Sequence, residues 1–165
     1  MKLAIIGGAG VRVPLLVNGL VQSRLPISDI ALFDVDRDRL DVISGVAARF
    51  AGAARLTAAS TVSEAVEGAD YVFISIRVGG IEGRAQDEAT ALRHGIVGQE
   101  TVGPGGFAMA LRTIPPLVAY AREVIERAPA ACISNFTNPV GIITQAVRTA
   151  TGARLFILRA TPSIS

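Results

Sequence analysis

Three groups of residues in this 165-residue sequence have the types and spacing to hold a charged small molecule. The first is Ile5-Ile6-Gly7-Gly8-Ala9-Gly10, between a short apolar run and a segment of helical periodicity. Small residues at such a turn let a dinucleotide's pyrophosphate approach the backbone. There it lies over the N–H groups and positive end of the next helix, where a Cβ would block it. Asp34 ends the second apolar run, about 20 residues further on, where a dinucleotide-binding fold carries its ribose-binding acid. A carboxylate at that place accepts hydrogen bonds from both ribose hydroxyls of NAD and repels the 2′-phosphate of NADP. Arg37, close by, leaves that preference open. The glycine pattern is incomplete. Counted from Gly8 it runs Gly8-x-Gly10-x-x-Val13, without a third glycine, and counted from Gly7 it has Ala9 in second place. Any tight strand-to-helix turn favours glycine; it is the position in the chain and the spacing to Asp34 that favour a nucleotide.

The other two groups lie further along. Ile76-Arg77-Val78-Gly79-Gly80 ends a β-branched and aromatic run and is followed by the loop Gly98-Gln99-Glu100-Thr101-Val102-Gly103-Pro104-Gly105-Gly106. Asn135-Phe136-Thr137-Asn138-Pro139 joins a buried run to a helical one. Each follows a strand or lies in a nearby loop, which in an open parallel sheet is the edge where ligands bind. Plainer roles are open to the same residues. Arg77 suits a surface ion pair, Asn138 a turn or helix N-cap, and Gln99, Glu100 and Thr101 a solvated loop. His94 reads as a packing or surface residue. Cys132, the single cysteine, reads as a small core residue and excludes an internal disulfide.

Short apolar strands alternating with helices must position these groups. Strands are expected at 3–6, 30–33, 55–58, 71–76, 131–134 and 154–158. Helices are expected at 13–21, 39–50 (with Leu40, Ile43, Val46 and Ala47 inward), 63–66, 84–94, 107–125 and 139–149. Pro115-Pro116 should break or kink the fifth helix. The alternation predicts an α/β fold, a doubly wound, mostly parallel sheet of the Rossmann type over residues 1–158, with a tail at 159–165. The composition agrees: 50% hydrophobic residues against 18% charged allow one large core, and few aromatics leave it to Ala, Val, Ile and Leu. A net charge of +2 with interleaved acids and bases gives no footprint for nucleic acid. No apolar run approaches the length of about 18 residues needed to span a membrane. Cysteine usage fits a reducing, cytoplasmic compartment.

Taken together, the Ile-Gly-Gly turn, Arg77-Val78-Gly79-Gly80, Arg93-His94-Gly95, Gly98-Gln99-Glu100-Thr101 with Gly105-Gly106, and Thr137-Asn138-Pro139 resemble the NAD- and metal-dependent glycoside hydrolases of family 4. That family includes 6-phospho-β-glucosidases and 6-phospho-α-glucosidases. The likeness runs to about Leu158 and leans to the β branch. It implies an NAD-dependent hydrolysis outside the paired-carboxylate scheme. The sugar is oxidised at C3, the C2 proton is removed with help from a divalent metal such as manganese, and the aglycone is eliminated. Water then adds and the hydride returns. By the same resemblance, Gly7, Gly8, Ala9, Gly10, Asp34 and Glu100 bind the cofactor. Arg77 and Asn138 hold a 6-phosphoglycoside, with a guanidinium suited to the phosphate. The active assembly is expected to be a homo-oligomer.

Two departures stand out. Family members are substantially longer, and their second half carries a metal-binding His and the tyrosine base. Where the family has a metal-binding Cys after its last strand, this sequence has Arg159-Ala160-Thr161-Pro162. The resemblance therefore names no catalytic residue and no metal ligand here. The reading is a truncated or degenerate family 4 enzyme. A non-catalytic dinucleotide-binding module stands as the alternative, and a domain of the malate or lactate dehydrogenase type as a weaker one.

Overall fold

The computed structural model describes residues 1–153 and 155–157. Six strands form one parallel sheet: β1 (Lys2–Ile6), β2 (Asp29–Phe33), β3 (Arg55–Ala58), β4 (Tyr71–Ile74), β5 (Cys132–Asn135) and β6 (Leu155–Ile157), in the order β3-β2-β1-β4-β5-β6. This is the doubly wound order, whose direction reverses between β1 and β4. The helices are α1 (Val13–Gln22), α2 (Arg37–Ala48), α3 (Val62–Val66), α4 (Gly80–Arg93), α5 (Gly103–Arg127) and α6 (Val140–Thr151).

Alternation along each strand divides the core in two. Ala4, Ile6, Ala31, Phe33, Val72 and Ile74 point to one face, where Val66, Leu117, Ala121, Val124, Ile143 and Val147 of α3, α5 and α6 cover them. Ile5, Ile30 and Leu32 point to the other face, under Val13, Val17, Leu40 and Ala47 of α1 and α2. Strands buried on both sides must be apolar throughout, and that is why they read as short unbroken runs. Helix α4 packs on α5 rather than on the sheet.

Several expectations need correction. Helix α5 runs continuously from Gly103 through Pro115 and Pro116 to Arg127. The two prolines deprive the carbonyls of Leu111 and Arg112 of their usual partners, at about 3 kcal/mol for an interior proline. Buried Leu117, Ala121 and Val124 hold the next turns on the sheet, and a fully buried Leu or Val contributes about 1.5–3 kcal/mol. Strand β4 stops at Ile74, two residues early, because Ile74 is its last residue in register with β1. Helix α4 begins at Gly80, not Arg84, after Gly79 turns the chain through a left-handed conformation at φ 84°. Val46 is exposed, while Leu40 and Ala47 are buried. Cys132 is half-buried rather than in the core. It is in register with Tyr71 of β4, on the side of the sheet away from α5 and α6. The expected tail, 159–165, and both ends of the 154–158 strand lie outside the described residues. No helix among those residues is long and apolar enough to cross a membrane.

Candidate nucleotide and anion site

Every strand of a parallel sheet ends at the same edge, so the turn after β1, Asp34 after β2, Arg77 after β4 and Asn138 after β5 share it. The turn is tight. Gly7 and Gly8 both donate their N–H to the Phe33 carbonyl at 2.9 Å, and Gly10 donates to the Gly7 carbonyl at 3.2 Å. Gly7 has φ 98°, and a Cβ there would collide with the Ser75 carbonyl of the chain leaving β4. Packing alone therefore demands glycine at this position. The N–H groups of Gly7, Gly8, Ala9 and Gly10 are thus engaged within the protein. Val11 and Arg12, just before α1, are exposed residues whose N–H groups make no hydrogen bond among the described residues.

Asp34 closes the other wall. Its Oδ2 accepts from the Ala9 N–H at 3.0 Å and its Oδ1 from the Asp36 N–H at 3.1 Å. A carboxylate offers about four acceptor sites, so each oxygen keeps one for a further donor. Asp36 caps α2 by accepting from the Arg39 N–H at 3.0 Å, which fixes the chain beyond Asp34. Arg37 turns away to donate to the Ala59 carbonyl after β3. Behind Asp34, Tyr120 packs edge-on against Phe33 with ring centroids 6.2 Å apart. Burial, and then the Asp34 charge, push the Tyr120 phenol above its usual pKa.

Around Arg77 the structure brings together residues that the sequence left separate. Arg77 Nη1 lies 2.5 Å from Glu100 Oε1, and Arg84 Nη1 lies 3.3 Å from Glu100 Oε2. Arg84 is held in turn by Glu88, one helical turn on, at 2.8 Å. Its place on α4, one turn after the Arg77 segment, was the available signal for a role at this site. The Gln99–Thr101 backbone crosses directly over the start of α5. A Cβ on Gly105 would collide with the Gln99 carbonyl, and one on Gly106 would lie 2.7 Å from the Thr101 carbonyl. Gln99 and Thr101 are exposed, Glu100 is half-buried, and His94 is an exposed residue ending α4. Below them Arg112 of α5 forms a two-pronged ion pair with Asp87 of α4, at 2.9 and 2.5 Å.

Asn138 is half-buried and neither caps α6 nor bonds a described residue through its side chain. Pro139 holds the N-cap position instead. The capping role open to Asn138 is therefore absent. Its neighbours Asn135 and Thr137 are buried polar residues, as are Thr113 and Thr144. Among the described residues no three His, Cys, Asp or Glu side chains are grouped to hold a metal ion. Arg159-Ala160-Thr161-Pro162 lies outside those residues.

The sheet order and an acid-walled turn at the switch point define a dinucleotide-binding class of domain, with a cluster of charge beyond the neighbouring strand β4. The family model described as family 4 glycosyl hydrolase matches residues 2–157, and the chain belongs to that family. It is 38% identical over 165 residues to a 6-phospho-beta-glucosidase of Escherichia coli (strain K12), covering 95% of this chain and 37% of that one. It is 34% identical over 153 residues to a maltose-6'-phosphate glucosidase of Bacillus subtilis (strain 168), covering 89% of this chain and 34% of that one. The solved structure of the 6-phospho-beta glucosidase from Thermotoga maritima with manganese, NAD+ and glucose-6-phosphate matches with a TM-score of 0.93 at 34% identity, over 98% of this chain and 41% of that one. The chain thus spans little more than a third of the curated relatives that it matches.

Proposed function

We propose that this chain is the cofactor-binding portion of a family 4 6-phospho-β-glucosidase. The observation that carries the reading is Asp34, tied to the glycine turn through the Ala9 N–H and still able to accept from two ribose hydroxyls. In this reading Gly7, Gly8, Ala9 and Gly10 shape the turn, and the Val11 and Arg12 N–H groups meet the pyrophosphate at the positive end of α1. NAD, when bound, supplies a hydride acceptor that is restored at the end of each cycle. Arg77 and Asn138 hold and orient the phosphosugar, and Glu100 fixes Arg77 at the side of the cofactor. The base, the metal ligands and the leaving-group acid have no owner among the described residues, so no step is assigned to them.

The β branch is favoured by the 38% identity to the Escherichia coli 6-phospho-beta-glucosidase, against 34% to the Bacillus subtilis maltose-6'-phosphate glucosidase. Self-association is favoured by an apolar stripe on α5, where Phe107 and Leu111 are 60% and 58% exposed. Calorimetric titration with NAD tests the first claim. A folded chain that shows no binding would remove it. Release of a chromogenic aglycone from its 6-phospho-β-glucoside, with NAD and manganese, separates an enzyme from a non-catalytic binding module.

A further inference from the structure

Strand β4 outlives its ladder. Its pairing with β1 ends at Ile74, yet the chain continues in place through Ser75 and Ile76 to Arg77. Ser75 N–H still reaches the Ile6 carbonyl at 2.9 Å, but Ile76 N–H has no strand to pair with. It donates instead to the hydroxyl of Thr137 at 3.1 Å. That hydroxyl donates in turn to the Ile74 carbonyl at 3.5 Å. Thr137 lies in a loop, where its side chain would ordinarily be solvated. Here it is 1% exposed.

Its own position is fixed from behind. Thr137 N–H donates to Asn135 Oδ1 at 3.0 Å, and Asn135 Nδ2 donates to the Thr144 hydroxyl of α6 at 3.0 Å. Asn135 and Thr144 are 0% and 2% exposed. A satisfied, buried polar network of this kind specifies one arrangement, because slipping it would strand polar groups away from water. The two residues adjoining the Ile76–Thr137 hydrogen bond are Arg77 and Asn138, one on each side.

We propose that Thr137 is a positioning residue: its hydroxyl, braced by Asn135 and Thr144, sets the spacing between Arg77 and Asn138. This rests on the reading of Arg77 and Asn138 as the side chains that hold the phosphosugar. Two polar groups grip one ligand only if their separation is held to a fraction of an ångström; the β4–β5 ladder ends with the Phe136 N–H on the Ile74 carbonyl at 2.8 Å, and beyond it the Thr137 hydroxyl carries the link on to Ile76. The sugar site thereby depends on a hydroxyl that never touches the sugar.

The test compares the full chain with Thr137→Val, which keeps the shape and loses the hydroxyl, and Thr137→Ser, which restores it. Three quantities are read: NAD affinity, glucose 6-phosphate affinity at saturating NAD, and, by NMR, the amide exchange of Ile76 with the Arg77 Nε–H signal. In Thr137→Val, NAD affinity stays near wild type and glucose 6-phosphate binds roughly tenfold more weakly, as loss of a well-placed hydrogen bond implies. Ile76 exchanges faster and the Arg77 signal moves, and Thr137→Ser reverses each change. An unchanged Ile76 amide and Arg77 signal, a Thr137→Ser variant no better than Val, or an equal loss of NAD binding overturns the proposal. A wild-type chain that binds no glucose 6-phosphate sinks the functional reading by itself, while Ile76 and Arg77 still report on the coupling. If Thr137→Val does not fold, Thr144→Val loosens the brace from its far end. It must then move the same Arg77 signal, and an unmoved signal overturns the proposal.

Discussion

Arg77 and Glu100 are bound to each other, guanidinium to carboxylate at 2.5 Å, with side chains 33% and 15% exposed. Neither acts alone, so substitutions at the two positions must be non-additive. Arg77→Gln and Glu100→Gln should each lower stability by about 1 kcal/mol, and the double variant by less than their sum. After discounting for solvent exposure, the coupling should be about 0.5–1 kcal/mol. Urea unfolding of the four proteins measures it. Strict additivity would show that the ion pair does not persist in solution.

Asp34→Ala removes the carboxylate that joins the glycine turn to the chain after β2. Hydrogen bonds to a charged group are worth about 1.5–3 kcal/mol each, and each 1.4 kcal/mol is tenfold in affinity. NAD, which would give up two such bonds, should therefore bind at least about 100-fold more weakly by calorimetry. Circular dichroism should show the fold retained, because the core on both faces of the sheet is untouched. Affinity equal to wild type would remove Asp34 from the nucleotide site.

Tyr120 gives a pH-dependent readout of the same acid. Burial and the Asp34 charge both disfavour the phenolate, so the pKa is raised in the folded state. The associated stabilisation is complete below the ordinary tyrosine pKa of about 10 and is lost as pH rises through the folded value. Asp34→Asn removes the charge and should lower the Tyr120 titration. Phenolate absorbance at alkaline pH measures it in a Tyr71→Phe background, since the sequence has two tyrosines and no tryptophan. An unmoved titration would mean that Tyr120 does not sense Asp34.

Two glycine substitutions should have opposite signs. Gly105→Ala drives a methyl group into the Gln99 carbonyl, so the loop must lift or the helix shift. Overpacking of this kind costs about 1–3 kcal/mol. Gly45→Ala, in α2 with nothing within 4 Å of the new methyl, should stabilise by about 0.5–1 kcal/mol. Thermal melts of both decide the matter, and equal effects would contradict the close crossing of loop over helix.

The strands were readable because a strand buried on both faces has to be apolar, as Ile30 to Phe33 and Ile133 show. Helix α1 was readable from its periodicity and Pro14 in its first turn. Helix α5 was misjudged at Pro115-Pro116 because local propensity counts a lost hydrogen bond but not the burial of Leu117 and Val124. At the site, the turn and Asp34 stood out through their spacing along the chain. The pairing of Arg77 with Glu100 did not, since the two stand 23 positions apart and meet only in the folded chain. The bracing roles of Asn135 and Thr137 were not legible for a related reason: a polar residue at a strand end or in a loop looks solvated until tertiary structure buries it.

Cys132 is the single thiol of the sequence, and it opens β5 at the edge of the sheet opposite the glycine turn. At about 3.3 Å per residue, the four-residue strand keeps it on the order of 13 Å from the loop that carries Asn138. A maleimide dye attached there would label the chain at one defined point without entering the site. In a sequence without tryptophan, that makes Cys132 the natural place for an optical reporter of ligand binding.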